Sequence, residues 1–168
     1  MIPLAYLLVN RSIALGLTIA ILCALSVLEL LRITGHLKIA ILAKYLKRKE
    51  EKKPTGSLFY VVAALITMLW FNKNVAIPSL FILSISDPLS SLAGRTLGKH
   101  PLFGKSIEGS LVFLISSLII LILFSVSVAI ALPVAFLATL TELITPGYLD
   151  DNLTIPIVTA LGLTLLGT

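Results

Sequence analysis

The sequence predicts an all-α membrane helical bundle, with about six short transmembrane helices and one interfacial amphipathic helix. Three observations carry that expectation. Of 168 residues, 58% are hydrophobic and 12% charged, and the mean hydropathy of +1.08 lies far above soluble usage. The charges gather in short intervals between long apolar runs. Those runs approach the roughly 20 residues needed to cross about 30 Å of hydrocarbon. Such a length allows about five to seven spans and leaves no room for a separate soluble domain, so residues 1–168 are read as one membrane domain. The N-terminal stretch lacks a basic start followed by a small-residue cleavage site and is read as part of the mature chain.

Taking the elements in order, residues 2–9 and 12–31 are apolar on either side of Asn10 and Arg11, and the second block supplies span 1. Between Arg32 and Lys53, eight Lys or Arg residues face only Glu50 and Glu51. That bias places the loop in the cytoplasm and the N-terminus outside. Within it, "HLKIAILAKYLKRK" sets Leu37, Ile41 and Tyr45 at fourfold spacing among lysines, the pattern of a helix lying on anionic lipid headgroups. Span 2 covers 57–71 and turns at Asn72, Lys73 and Asn74. The single cysteine, Cys23, lies in an apolar run and is read as a packing residue.

Span 3, from Val75 to about Ala93, carries an acid, Asp87, followed by Pro88. Proline is tolerated in the first turn of a helix and an aspartate ahead of it caps free N–H groups, so a broken helix is expected here. A charge at that depth is costly, which makes Asp87 a functional suspect. Residues 110–141 hold no charged side chain. As one helix they would be about 48 Å long, so two short spans turning between Ser125 and Pro133 are expected. Residues 153–168 close the bundle. Counted from the basic loop, this topology brings Glu29, Asp87, Arg95, Lys99, Lys105, Glu108, Glu142, Asp150 and Asp151 to the cytoplasmic side.

The chemistry concentrates in "GKHPLFGKSIEGS", residues 98–110. Lysines and an arginine hold anionic phosphate, glycines let backbone N–H groups approach it, and carboxylates suit magnesium. Phosphoryl transfer is mostly positioning and charge stabilisation, so this inventory suffices in kind. A P-loop is excluded, because lysine stands at 99 where GxxxxGK[ST] needs its first glycine. With two histidines and one distant cysteine, a structural zinc centre is unsupported. The formal charge of +5 lies in loops without a soluble nucleic-acid fold or repeated aromatic platforms, which excludes nucleic acid as the partner.

"SDPLSSLAGRTLGKHPLFGKSIEGS" (86–110), "ELITPGYLDDNLTIP" (142–156) and "ELLR" (29–32) together resemble the dolichol kinase, phytol kinase and yeast-type diacylglycerol kinase family. In that family the aspartate commonly lies between glycine and alanine, whereas here Ser86 and Pro88 flank it. The resemblance implies transfer of a phosphoryl group from a nucleoside triphosphate, characteristically CTP, to the hydroxyl of a polyprenol, a phytol-like isoprenoid alcohol or diacylglycerol. Combined with the chemical inventory, it makes Asp87, Glu142 and Asp151 the expected ligands of Mg2+, and Arg95, Lys99 and Lys105 the expected triphosphate contacts. Gly98, Gly104, Ser106 and Gly109 would shape the nucleotide loop, and Glu108 would orient or deprotonate the lipid alcohol, with Asp87 and Glu108 free to exchange roles and Lys105 beside them in the catalytic set. Glu29 with Arg32, His100, Asp150 and Asn152 are expected supports. A CTP-dependent lipid cytidylyltransferase, a small transporter and a lipid-binding protein without activity are the rival readings.

Overall fold

The computed structural model describes residues 2–34, 54–145 and 150–167. The expected interfacial helix at 36–49 and part of the 145–152 loop fall outside the described residues. The helices are α1 (Ile2–Leu8), α2 (Arg11–Ile33), α3 (Gly56–Trp70), α4 (Lys73–Phe81), α5 (Asp87–Leu97), α6 (Ile107–Leu123), α7 (Val128–Ile144) and α8 (Asp151–Gly167). The only strands among the described residues form a two-stranded hairpin, β1 (Pro101–Leu102) against β2 (Lys105–Ser106). The chain is all-α in class.

Asn10 separates α1 from α2 by capping the second helix, its Oδ1 accepting from the Ile13 N–H at 2.9 Å. The expected break at Asp87 does not occur. Asp87 has helical backbone angles of −65° and −49° and makes no capping bond, and Lys73–Leu97 is a continuous 25-residue helix. Pro88 lacks an N–H and its ring crowds the carbonyl four residues earlier. The chain absorbs this by widening into a π-helical turn over Ile82–Ser86, a distortion that recurs at functional sites. Residues 110–141 do divide in two: α6 ends at Leu123, the turn passes through Ser125 at a φ of +61°, and Pro133 lies inside α7 rather than at the turn.

α8 is the central helix, packed against α3, α4, the π turn and α7. Gly162 permits the approach of α7, since a Cβ there would meet Leu137 Cδ2 at 3.3 Å. One apolar cluster joins Phe113, Leu121, Val134 and Ile155; a second joins Tyr6, Met68, Ile77 and Leu80. Buried hydroxyls return to their own helix: Thr67, Ser79, Thr139 and Thr159 each bond the carbonyl four residues earlier. Each is thereby satisfied within an apolar interior. α2 packs on α1 and α3 alone among the stronger helix contacts and exposes Leu17, Ile21, Val27 and Leu30. Cys23, expected to be packed, is exposed on this helix.

Two helical runs, Arg11–Ile33 and Lys73–Leu97, are long and apolar enough to cross a membrane. The apolar helices α3, α6, α7 and α8 have 15, 17, 17 and 17 residues. At one end of the bundle, Arg11 Nη2 donates to Leu69 O at 2.7 Å and Lys73 Nζ to Val9 O at 2.8 Å. These cations satisfy carbonyls at helix C-termini. The C-termini of α2, α5 and α7 and the N-termini of α3, α6 and α8 meet at the other end, which holds the remaining described charges.

Candidate functional site

The Lys73–Leu97 helix supplies one wall of the site. Asp87, Ser90, Ser91, Gly94, Arg95 and Gly98 recur at three- and four-residue steps and line a cleft of about 530 Å³. Such spacing places them on one helical face. Lys99 and the hairpin residues Pro101, Gly104 and Lys105 continue the lining, and Glu142 and Asp151 close it from α7 and α8. The volume lies within the range of small-molecule sites.

Small residues set the approach of α5 to α6. A Cβ on Gly109 would lie 2.9 Å from Ser90 O, and one on Gly98 would lie 2.2 Å from Gly94 O and 3.0 Å from Ser106 Oγ. Ser106 caps α6, its Oγ accepting from the Gly109 N–H at 3.1 Å. The hairpin turns through Phe103 and Gly104 at φ of +47° and +83°, the positive pair a type I′ turn requires. Glycine fits such a position without cost, whereas Phe103 adopts it while 78% exposed.

Lys105 is the hub of the polar network. Its Nζ donates to Glu142 Oε1 at 2.6 Å and to Asp151 Oδ2 at 3.4 Å. Ser90 Oγ donates to the same Glu142 oxygen at 3.2 Å. Glu142 is 2% exposed, and its Oε2 is buried without a hydrogen-bond partner among the described residues. Asp87 is half-buried and accepts no hydrogen bond from the described residues. The charges that act on it are those of Asp151, Lys105, Glu142 and Asp150. Arg95 bonds Ser91, Nη2 to Oγ at 2.7 Å, and neither Arg95 nor Lys99 has a carboxylate partner among the described residues.

The structure therefore gathers Asp87, Arg95, Gly98, Lys99, Gly104, Lys105, Ser106, Gly109, Glu142 and Asp151 around one cleft. It does not bring Glu108 there. The Glu108 carboxylate turns to the hairpin, its Oε1 2.7 Å from His100 Nδ1, and that contact holds it well below the usual carboxylate range, at about 2. Glu108 precedes the uncharged run that begins at Gly109 and lies outside the apolar part of α6. Glu29 and Arg32 form the expected pair at 2.6 Å, and Glu29 also accepts from Thr55 Oγ1 at 2.7 Å, tying α2 to the start of α3 away from the cleft. Asp150 accepts from Asn152 N and Nδ2 at 2.9 and 2.6 Å. This turn leads into α8 beside Gly56, whose added Cβ would meet Asn152 Nδ2 at 3.0 Å.

The expected metal ligands are not assembled as a set. Among the described residues no group of three His, Cys, Asp or Glu side chains is placed to hold a metal ion. Lys105 occupies Glu142 and Asp151, and Asp87 stands beside them. The donors nevertheless suit a hard cation that takes most of its ligands from water and substrate phosphates, as magnesium does. Sequence reasoning missed Ser90, Ser91 and Gly94. Their signal was the helical spacing from Asp87 to Gly98, hidden by the expectation of a broken helix.

No protein-family model and no solved structure matches the chain. Uncharacterized protein RP860 of Rickettsia prowazekii (strain Madrid E) is 33% identical over 180 residues, covering 97% of this chain and 87% of that protein. Uncharacterized protein MJ1137 of Methanocaldococcus jannaschii is 28% identical over 117 residues, covering 67% of this chain and 60% of that protein. At that identity, across nearly the whole of both sequences, the chain belongs to the same family as the Rickettsia prowazekii protein RP860.

Proposed function

We propose that this chain is a polytopic membrane phosphotransferase that moves the terminal phosphoryl group of a nucleoside triphosphate, CTP by resemblance, to the hydroxyl of a membrane lipid. One observation carries the reading. The cleft sets two cations without carboxylate partners among the described residues, Arg95 and Lys99, beside the unbonded carboxylate of Asp87. Two of the three motif blocks that resemble the polyprenol kinase family, 86–110 and 142–156, supply its lining. α6 and α8 also begin there, and helix N-termini favour anions.

Exposed apolar residues support the membrane reading. Leu111, Ile115, Ile119 and Ile122 on α6 and Leu132 and Phe136 on α7 are exposed, each set at a spacing that puts it on one helical face, as a lipid-facing surface requires. The six apolar helices are the proposed spans, with the shorter ones accommodated by local thinning of the bilayer. The basic loop would lie on anionic headgroups in the cytoplasm, the N-terminus outside and the cleft at the cytoplasmic face.

In the reaction, Arg95 and Lys99 hold phosphate oxygens and Asp87 accepts the proton of the lipid hydroxyl. The hydroxyl oxygen bonds to the terminal phosphorus as the bridging bond to the nucleoside diphosphate breaks. Mg2+ bound with the nucleotide would supply neutralisation of phosphate charge; Glu142 and Asp151 are the residues that would hold it. The lipid tail stays in the bilayer, since each CH₂ drawn into water costs about 0.8 kcal/mol, so the hydroxyl arrives sideways at headgroup depth.

The test uses protein in bilayers with magnesium, CTP labelled in its γ-phosphate, and phytol, polyprenol or diacylglycerol. Label is expected in one of these lipids and absent with Asp87→Asn. A CDP-lipid with released pyrophosphate would replace the reading by nucleotidyl transfer, and no lipid product despite measured CTP binding would remove it.

A further inference from the structure

Lys105 makes an unusual pairing for a residue expected to hold phosphate. Its ammonium lies between two carboxylates from different helices, 2.6 Å from Glu142 Oε1 and 3.4 Å from Asp151 Oδ2. That is the position a divalent cation would take to join α7 to α8. Glu142 has a further oxygen, Oε2, buried with no partner among the described residues. A lysine satisfies one oxygen of this carboxylate and leaves the other bare, and a bare buried acceptor carries a desolvation penalty. A metal ion, with more ligand positions than an ammonium has protons, can relieve it.

The lysine is also placed to leave. Its side chain is 32% exposed, its longer bond is weak by geometry, and it sits on a two-residue strand beside the exposed Phe103–Gly104 turn. Arg95 and Lys99 line the same cleft, so a polyphosphate gathered there would attract the Lys105 ammonium as well.

We propose that Lys105 is a tethered counter-ion that occupies the divalent-cation position between Glu142 and Asp151 and yields it when polyphosphate draws the lysine away. Metal and polyphosphate then bind with positive linkage, each favouring the displaced lysine. The inference deepens the phosphotransferase reading in naming polyphosphate as the displacing ligand, but the exchange of lysine for cation stands on the three side chains alone. Glu142 and Asp151 become metal ligands in that displaced state, while Ser90 keeps Glu142 in place.

The experiment measures Mn2+ binding by electron paramagnetic resonance of the free ion, on detergent-solubilised protein with neither nucleotide nor lipid. Lys105→Met is expected to bind Mn2+ about tenfold or more tightly than wild type, Lys105→Arg to stay near wild type, and Lys105→Met with Glu142→Gln to lose the gain. Equal affinities for Lys105→Met and wild type would overturn the proposal. A second measurement needs no variant: site-resolved acylation of Lys105 by an amine-reactive reagent, against Lys73 as internal reference. Mn2+ alone, at concentrations that fill the site, is expected to raise Lys105 labelling, and labelling unchanged by Mn2+ overturns the exchange. Neither arm involves phosphoryl transfer, so an inactive protein that still shows the exchange would sink the functional reading alone.

Discussion

Gly109→Ala isolates the contact on which the cleft is built. The added Cβ would lie 2.9 Å from the carbonyl oxygen of Ser90, 3.1 Å from Ser106 Oγ and 3.4 Å from Gly94 Cα. Ordinary contact starts near 3.4 Å, so α5 and α6 must part by about 0.5 Å along that direction. The opposing atom is backbone and cannot rotate away. Overpacking of this kind costs about 1–3 kcal/mol, and alanine returns up to about 1 kcal/mol as the better helix former. A net loss of about 0–3 kcal/mol leaves a folded protein. Function is hit harder, because the displaced wall carries Asp87, Ser90 and Arg95 and the capped turn carries Ser106 and Lys105. A misplacement approaching 1 Å can cost on the order of 100-fold in rate. Thermal unfolding in detergent by circular dichroism, paired with lipid phosphorylation in bilayers, is therefore expected to show a small fall in Tm and a large fall in rate. Gly16→Ala on α2, where a Cβ meets nothing within 4 Å, is the control and should raise Tm slightly with the rate intact. Wild-type rate and Tm in Gly109→Ala would refute the argument from close approach.

Other perturbations separate the roles of the remaining groups. Asp87→Asn should abolish phosphoryl transfer while nucleotide binding, followed by equilibrium dialysis, stays within about twofold, since the change removes a proton acceptor and no phosphate contact. Lys99→Gln and Arg95→Gln should raise the KM for nucleotide and flatten its dependence on ionic strength, because these exposed cations act through partly screened charge; an effect confined to kcat would contradict that. Glu142→Gln leaves Lys105 with its 3.4 Å partner Asp151 and should lower Tm more than Asp151→Asn does, because Glu142 is the buried half of the network. The Glu108 carboxyl is depressed to about 2 from its ordinary 4.5, so its contribution to the hairpin is present above the ordinary value and lost as pH falls from there toward 2. The protection factor of the Ile107 amide, whose N–H donates to His100 O, should fall across that acid window in wild type when corrected for intrinsic exchange, and Glu108→Gln should remove the dependence.

The features legible in the sequence are those that follow from local periodicity and charge. A 32-residue uncharged run cannot be one ordinary span, and its division into α6 and α7 is what returns Glu142 to within 2.6 Å of Lys105. Asp87 was marked by its rarity as an acid in an apolar run. Its backbone was not legible, because Asp-Pro reads equally as a helix start and as an insertion that a π turn can absorb. Taking the first alternative concealed the face that runs from Asp87 through Ser90 and Gly94 to Gly98. Glu108 misled for a related reason. Its spacing from Lys105 puts the two on one helical face only if helix begins at 105, and the structure has β2 there, with the helix starting at Ile107. The strand turns Glu108 toward His100 and leaves Lys105 to the cleft.

The balance of charge in the cleft bears on what it accepts. Arg95, Lys99 and Lys105 stand against Asp87, Glu142 and Asp151, all six lining one space. Three cations alone would favour any polyanion, and three acids alone would favour a bare cation. Interleaved, they cancel at a distance and act only on a ligand that presents both signs in the matching order. A phosphate chain carrying its own divalent cation is such a ligand, and its phosphates can draw Lys105 while its cation takes the carboxylates. Specificity then resides in Lys105 changing partners, which requires that the lysine be held at rest by bonds it can give up. The long bond to Asp151 and the partly exposed lysine meet that requirement, and the incoming cation replaces the short bond to Glu142. Under it, neither free metal nor metal-free nucleotide fills the site as well as the two together.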